Sequence, residues 1–223
     1  MIYKYYLTIS LALLVSFIVL AAIISPRIND TDEGPSAIVE SDKVVYLQVN
    51  NPHLEPLNQI MILFSQYGRG VAWTMTGILL FIFGGWTGRK TAIVMAITML
   101  ILIPIGTIAK EIVGRMRPAM PDAEILVAPD SGYSFPSGHT VIASSGAALM
   151  LALFRGSYKK LAVSIGLAVE AALVCFSRVY VGDHYALDIA GGILLGVGVA
   201  FIFISVTKRV EQLLQPLTKA LKP

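Results

Sequence analysis

Six apolar segments, separated by polar loops, constrain the fold of this chain more than any other feature. They lie near Tyr5–Ile24, Val71–Trp86, Thr91–Ala109, Thr140–Phe154, Leu161–Ser177 and Ala186–Val206. Most have the length, roughly 17–21 residues, at which a helix crosses about 30 Å of hydrocarbon, whereas the second and fourth are shorter. Lys4 before the first segment also fits a signal peptide, but the run is long and no A-x-A cleavage pattern follows it. We therefore predict an all-α fold, a bundle of six transmembrane helices.

The composition agrees with an integral membrane protein of one domain. Of the 223 residues, 56% are hydrophobic and 14% are charged, and the mean hydropathy is +0.73. A soluble domain has about a quarter of its residues charged. The net charge is only +3 and the basic residues form no stripe, so nucleic acid is not an expected partner. We expect a single domain over residues 1–223, and the one cysteine, Cys175, to be a buried core residue without a disulfide or metal role.

The distribution of basic residues predicts the orientation. With six spans, both termini and the second and fourth loops share one side, which carries ten of the 17 basic residues. These ten are Lys4, Arg89, Lys90, Arg155, Lys159, Lys160, Lys208, Arg209, Lys219 and Lys222. The positive-inside rule places this side in the cytoplasm. The third and fifth loops are then extracytoplasmic.

The first outer loop is long, from about residue 25 to residue 70. Its acidic stretch at Asp30, Asp32 and Glu33 precedes Gly34-Pro35 and indicates exposed coil. Leucine, isoleucine, methionine and phenylalanine then recur at helical spacing over residues 57–64. We expect short interfacial helices here that lie on the membrane surface or cover a site, and a plain connector packed on the bundle is the alternative.

Two cations at the end of the third segment form the first polar cluster. Lys110 and Arg117 are seven residues apart, which returns to nearly the same helical face, and Pro118 would end the helix just beyond them. Both could then point at one anion. The alternative is that they snorkel to the membrane surface. Arg115 lies on a different face, and we expect it to snorkel or to face headgroups.

The second cluster, Pro136-Ser137-Gly138-His139, leads into the fourth apolar segment. Ser137 could cap that helix, and Gly138 would let the backbone come close to a ligand. The amides of a helix start bind phosphate oxygens, and His139 would lie there, able to exchange a proton. An ordinary capped helix with an incidental histidine is the alternative.

The third cluster contains Arg178, His184 and Asp188, at the start of the last segment. If that helix begins near His184, Asp188 lies one turn along the same face and could hold one imidazole nitrogen, directing the other outward as a nucleophile or base. Arg178 adds a bidentate phosphate donor. Asp183 reads as a capping or exposed residue. Asp130 reads as part of a solvated loop, and gating of the pocket is the alternative. A surface histidine beside a capping aspartate is the alternative, but it accounts poorly for an aspartate inside an apolar helix.

Together the clusters resemble the signature of the type-2 phosphatidic acid phosphatase superfamily of membrane lipid phosphatases. Every signature position is matched in order over residues 110–188: Lys110-x6-Arg117-Pro118, Pro136-Ser137-Gly138-His139 and Ser177-Arg178-x5-His184-x3-Asp188. The resemblance implies that His184 is a nucleophile forming a phosphohistidine, that Asp188 orients it and that His139 is the general acid. It also implies a phosphate clamp of Lys110, Arg117 and Arg178, with Ser137 and Gly138 as further donors, and neither a metal nor another cofactor.

The reaction that follows from this resemblance is hydrolysis of a lipid phosphate or diphosphate at the outer membrane face. We favour a polyprenyl diphosphate, converted to the monophosphate, because recycling of such a carrier removes a phosphate on that side. Open alternatives are a phosphatidate or phosphatidylglycerol-phosphate phosphatase, a lipid phosphotransferase, and a non-catalytic protein that binds or transports an anion or lipid. The His–Asp pair disfavours the last, since binding alone needs no nucleophile.

Overall fold

The computed structural model describes residues 2–28, 36–51 and 54–220, with the side chains of 2, 3 and 210–220 excepted. Its described residues form eight helices and no strand. The helices are α1 (Ile2–Ile24), α2 (Ala37–Asn50), α3 (Glu55–Tyr67), α4 (Gly70–Phe83), α5 (Gly85–Val113), α6 (Gly138–Leu153), α7 (Tyr158–Tyr180) and α8 (Ala186–Ala220). The predicted all-α class is confirmed.

Each of the six predicted apolar segments coincides with one helix. Helices α1, α5, α7 and α8 are long and apolar enough to cross a membrane. Helices α4 and α6 are apolar but have only 14 and 16 residues. These two helices correspond to the second and fourth segments, which the sequence already shows to be shorter than the others.

Helix α6 lies at the centre of the bundle and packs against α5, α7 and α8. Small residues of α8 allow this close contact. A Cβ atom on Gly192 would lie 2.7 Å from Cβ of Thr140, and one on Gly196 would lie 2.4 Å from the carbonyl oxygen of Val141. Such backbone proximity is what glycines at helix interfaces permit in membrane bundles. The N-terminus of α6 is thereby held against the first turns of α8.

Helix α5 ends earlier than the sequence suggests, and this corrects one expectation. Gly114 adopts the left-handed conformation, with φ of +69°, and its amide donates to the carbonyl of Lys110. A left-handed residue directly after the last turn terminates a helix. Arg117 therefore lies in an extended segment beyond α5, and the prediction that it shares a helical face with Lys110 is wrong.

Helices α2 and α3 belong to the long first loop and pack on the end of α7. Met61 of α3 is buried against Tyr180 and Val181, and Asn58 accepts a hydrogen bond of 2.7 Å from the Tyr180 hydroxyl. The expected helix over residues 57–64 is thus confirmed, with one face packed on the bundle. The acidic stretch at residues 30–33 lies outside the described residues, as does His53, which its Pro-flanked sequence predicts to be a surface residue without a role in the site.

Candidate active site

The three sequence clusters meet at one end of the bundle, where α5 and α7 end and α6 and α8 begin. Lys110 lies in the last turn of α5, Arg178 in the last turn of α7, and Asp188 in the first turn of α8. His139 follows the first residue of α6, and His184 lies just before α8. The three motifs, which are separate in the chain, therefore meet where these four helix ends come together.

His184 and Asp188 form a fully buried pair. The Nδ1 atom of His184 is 3.3 Å from Oδ2 of Asp188, which also accepts a hydrogen bond of 3.0 Å from the Tyr185 amide. This contact leaves Nε2 of His184 directed at Arg117, whose Nη1 is 3.2 Å away. Complete burial lowers the pKa of His184 from its ordinary value of 6.5, and the opposing effect of Asp188 is smaller. A neutral imidazole, whose Nε2 carries a lone pair, is the form suited to nucleophilic attack.

Two arginines share a carboxylate, Asp183, whose Oδ2 lies 3.4 Å from that nitrogen. Nη1 of Arg117 is 2.7 Å from Oδ2 of Asp183, and Nη2 of Arg178 contacts the same oxygen. Asp183 is only 1% exposed. The expectation that it is a capping or exposed residue is wrong, because its carboxylate balances the charge of both arginines in the buried site.

Lys110 and Arg117 converge through the segment that follows α5, although they do not share a helix face. Nζ of Lys110 donates to the carbonyl oxygen of Tyr133 at 2.7 Å, and Nη2 of Arg117 contacts the same oxygen at 3.5 Å. The backbone near residue 133 thus holds both cations at one side of the site. Because both cations bind a carbonyl of the chain, they do not simply extend to the membrane surface, as the snorkelling alternative requires.

The start of α6 presents polar groups that have no partner within the described chain. Ser137 occupies the N-cap position, but its side chain makes no capping hydrogen bond, and its buried Oγ is unpaired. The expected side-chain cap is therefore absent. Nδ1 of His139 is also buried without a hydrogen bond. Unpaired polar atoms at a helix N-terminus are the arrangement that an anion would complete.

Asp130 lies between the two histidines. Its Oδ2 is 2.9 Å from Nη2 of Arg178 and 3.7 Å from Nδ1 of His139, while its side chain remains 48% exposed. The expectation of a purely solvated loop is therefore wrong for this residue. A carboxylate anion, supplied by the chain itself, touches the cation that would bind a phosphate.

Arg115 is a further residue of the candidate site that sequence reasoning misassigned. It is 5% exposed rather than snorkelling, with Nη1 2.7 Å from Oδ1 of Asp188 and Nη2 2.6 Å from Oδ2 of Asp42. Its guanidinium also lies 4.3 Å from the ring centroid of Tyr185. Asp42, which belongs to α2, in turn accepts a hydrogen bond of 3.0 Å from the Leu187 amide. No local pattern marks Asp42 as part of the site, because it lies 73 residues before Arg115.

Asp130, Asp183 and His184 also place potential metal ligands within 4.8 Å of one another. The sequence does not show this group, because Asp130 lies 53 residues before Asp183. Arg117 and Arg178 already hold the Asp183 carboxylate, and Arg178 also holds Asp130. Guanidinium groups already hold both carboxylates, so a divalent cation bound there would be repelled by these arginines. The same positive charge favours binding of an anion.

A family model described as the PAP2 superfamily matches residues 87–211. An undecaprenyl-diphosphatase from Sulfolobus acidocaldarius is 34% identical over 75% of this chain and 81% of its own length. The undecaprenyl-diphosphatase BcrC from Bacillus subtilis is 26% identical over 74% of this chain and 80% of its own length. The crystal structure of a transmembrane PAP2 type phosphatidylglycerolphosphate phosphatase from Bacillus subtilis superposes with a TM-score of 0.68 at 26% identity, covering 90% of this chain and 96% of that one.

Proposed function

This chain belongs to the PAP2 superfamily and is a multi-pass membrane phosphatase, and from that premise we propose that it hydrolyses a polyprenyl diphosphate to the monophosphate. The observation that supports this most directly is the fully buried His184–Asp188 pair, whose Nε2 lies 3.2 Å from Nη1 of Arg117 and 3.4 Å from Oδ2 of Asp183, the carboxylate that Arg117 and Arg178 share. A nucleophile that faces a cationic pocket fits attack on a phosphoryl group.

The proposed reaction has two steps that share one pocket. In the first, Nε2 of His184 attacks the terminal phosphorus, the P–O bond to the leaving group breaks, and His139 donates a proton to the departing oxygen. In the second, water attacks the phosphorus of the phosphohistidine while His139 takes a proton from the water, the P–N bond to His184 breaks, and phosphate leaves. Asp188 keeps Nδ1 protonated and stabilises the charge that develops on the imidazole.

The clamp supplies the electrostatic part of this mechanism. Lys110, Arg117 and Arg178 would neutralise the oxygens of the transferring group, with Ser137 Oγ and the Gly138 amide as further donors. Phosphoryl transfer is catalysed mainly by positioning and by charge neutralisation of this kind. Three cations and a helix N-terminus supply that charge without requiring a metal ion.

Two observations favour a lipid diphosphate as the substrate. Both undecaprenyl-diphosphatase relatives align over about three quarters of this chain. In addition, a mostly apolar cavity of about 880 Å³ begins beside Lys110 and Gly138 and runs between α4, α5 and α6, where a lipid tail would fit. The structural neighbour that acts on phosphatidylglycerolphosphate makes that headgroup the second candidate. We further propose that residues 1–223 form one domain with cytoplasmic termini and an extracytoplasmic site.

The deciding experiment is phosphate release by purified protein with excess EDTA. We expect turnover of a prenyl diphosphate under these conditions, and acid-labile label on His184 after rapid quenching with substrate labelled at the terminal phosphate. Label that appears on an added lipid or sugar alcohol would instead indicate a phosphotransferase. Tight binding of the lipid with no phosphate release and no labelled protein would contradict the proposal and favour a binding or transport protein.

A further inference from the structure

Besides Arg115, a second arginine beside the site occupies no position of the three motifs. Arg69 directly precedes α4, and its Nη1 would lie 3.4 Å from a Cβ atom placed on Gly138. It interacts electrostatically with His139 and Arg178. A cation outside the motifs is thus packed against the glycine at the start of α6.

Charge balance distinguishes Arg69 from most of the neighbouring cations. Arg115 is paired with Asp42 and Asp188, while Arg117 and Arg178 share Asp183. In the described part of the chain, neither Arg69 nor Lys110 has a carboxylate within ion-pair distance. Two cations that lie beside other cations without an ion-pair partner favour a bound anion, which relieves the repulsion between them.

These two cations mark the polar end of the apolar cavity. Arg69, Lys110 and Gly138 line it at that end, and Trp73, Met95 and Phe81 are among the apolar side chains that continue it between α4, α5 and α6. An anion bound by Arg69 would therefore lie between the His184 pocket and the space for an apolar chain. In a lipid substrate, the group at that position is the one that links the transferring phosphate to the apolar tail.

We propose that Arg69 binds the phosphate that remains on the lipid when a diphosphate is cleaved, an inference that rests on the proposed function. In-line transfer places the leaving group on the side of the terminal phosphorus opposite His184. His139 protonates the bridging oxygen there, and Arg69 lies against its neighbour Gly138. The leaving group of a diphosphate is itself a phosphate ester, so Arg69 stabilises the charge that collects on it. A lipid monophosphate offers no second phosphate to this arginine, which therefore selects diphosphates.

The test uses farnesyl diphosphate and farnesyl monophosphate, two substrates that share one tail. We expect Arg69→Gln to lower kcat/KM for the diphosphate by roughly 10- to 100-fold, the effect of losing a charged hydrogen-bond partner. For the monophosphate the change should be less than about threefold, as for a distant charge screened by solvent. Arg69→Lys should recover part of the loss. The matched control is Arg89→Gln, which removes an exposed arginine at the opposite end of α5 and should change neither substrate.

The outcomes separate this inference from the proposed function. Equal losses for both substrates, or no loss for the diphosphate, would overturn the role of Arg69 while leaving the phosphatase activity established. Wild-type protein that cleaves neither lipid would refute the proposed function instead. If the monophosphate is too slow to measure, a loss in Arg69→Gln without recovery in Arg69→Lys overturns the inference. Thermal unfolding of each variant shows whether a loss reflects misfolding.

Discussion

Arg115 donates to Oδ1 of Asp188 at 2.7 Å, the carboxylate oxygen that His184 does not use. The other guanidinium nitrogen, Nη2, donates to Asp42 at 2.6 Å. A helix of the long first loop therefore helps to fix the carboxylate that orients the candidate nucleophile. Burial raises the pKa of Asp42, and the hydrogen bond and charge of Arg115 oppose this shift, so the charged carboxylate depends on its arginine.

We expect Asp42→Asn to reduce kcat by roughly 10-fold or more without a matching rise in KM, because Asp42 positions Arg115 and does not touch the substrate. Breaking a buried ion pair also costs about 3–5 kcal/mol of folding free energy. Lys43→Gln is the control on the same helix, since the exposed pair of Lys43 with Glu40 contributes little. The measurements are initial rates, their pH profile and denaturant unfolding in detergent.

A destabilised Asp42→Asn protein with unchanged kcat and an unchanged pH profile would show that Asp42 only holds α2 in place. A shift of the acidic limb of kcat/KM would instead show that the substitution reaches His184 through Arg115 and Asp188.

The two site histidines should differ sharply from the third histidine of the chain. We expect His184→Ala to abolish measurable turnover and His139→Ala to lower it by roughly 10²- to 10⁴-fold, the range for loss of a general acid or base. His53→Ala should retain nearly full activity. Rates and phosphohistidine trapping on the three variants measure this. Comparable damage in all three would contradict the assigned roles.

The acidic limb of activity should lie below pH 6.5. The attacking form of His184 is neutral, and burial lowers its pKa from 6.5. The imidazole therefore stays neutral at pH 6.5 and loses its lone pair only as the pH falls through the lowered pKa. The substrate phosphate itself titrates near pH 6. We would therefore measure His184 directly by NMR of histidine-labelled protein, assigned with His184→Ala; a pKa at or above 6.5 would contradict this account.

The sequence predicts this fold well because its signals are local. An apolar run of membrane length predicts a helix wherever it lies, so all six segments correspond to helices. The motifs also predict which side chains meet, since a nucleophile, an acid and a clamp are needed together for the chemistry that the family signature implies. Lys110, His139, Arg178 and Asp188 accordingly converge at four helix ends.

The charged partners of those residues were not predictable from local pattern. An arginine near the end of an apolar segment looks the same whether it snorkels or, like Arg115, pairs with an aspartate 73 residues away. From the sequence, Asp183 resembles a helix-capping residue, because its pairing with Arg117 and Arg178 exists only in the folded protein. The end of α5 did have a signal, because a glycine such as Gly114 commonly follows the last turn of a helix.

Asp130 should compete with anions for Arg178, which it contacts at 2.9 Å. Asp130→Asn removes that carboxylate charge, while Asp183 still balances the arginine. We expect vanadate, which resembles the five-coordinate phosphorus, to inhibit this variant at roughly three- to tenfold lower concentration. Asp122→Asn, an exposed aspartate of the same loop, should leave inhibition unchanged. Weaker inhibition of Asp130→Asn would show that this carboxylate helps to build the anion site.

The side of the membrane on which the site lies can be tested with single cysteines. In a Cys175→Ala background, Asp122→Cys and Lys159→Cys place thiols at two exposed positions, one between α5 and α6 and the other at the start of α7. We expect a membrane-impermeant maleimide to label residue 122 in intact cells and residue 159 only after permeabilisation, because the basic loop stays inside. Residue 122 belongs to the segment whose Tyr133 carbonyl binds Lys110, so its labelling reports the side of the site itself. The reverse labelling pattern would place the phosphatase site on the cytoplasmic side, and the lipid diphosphate would then have to reach the site from the cytoplasm.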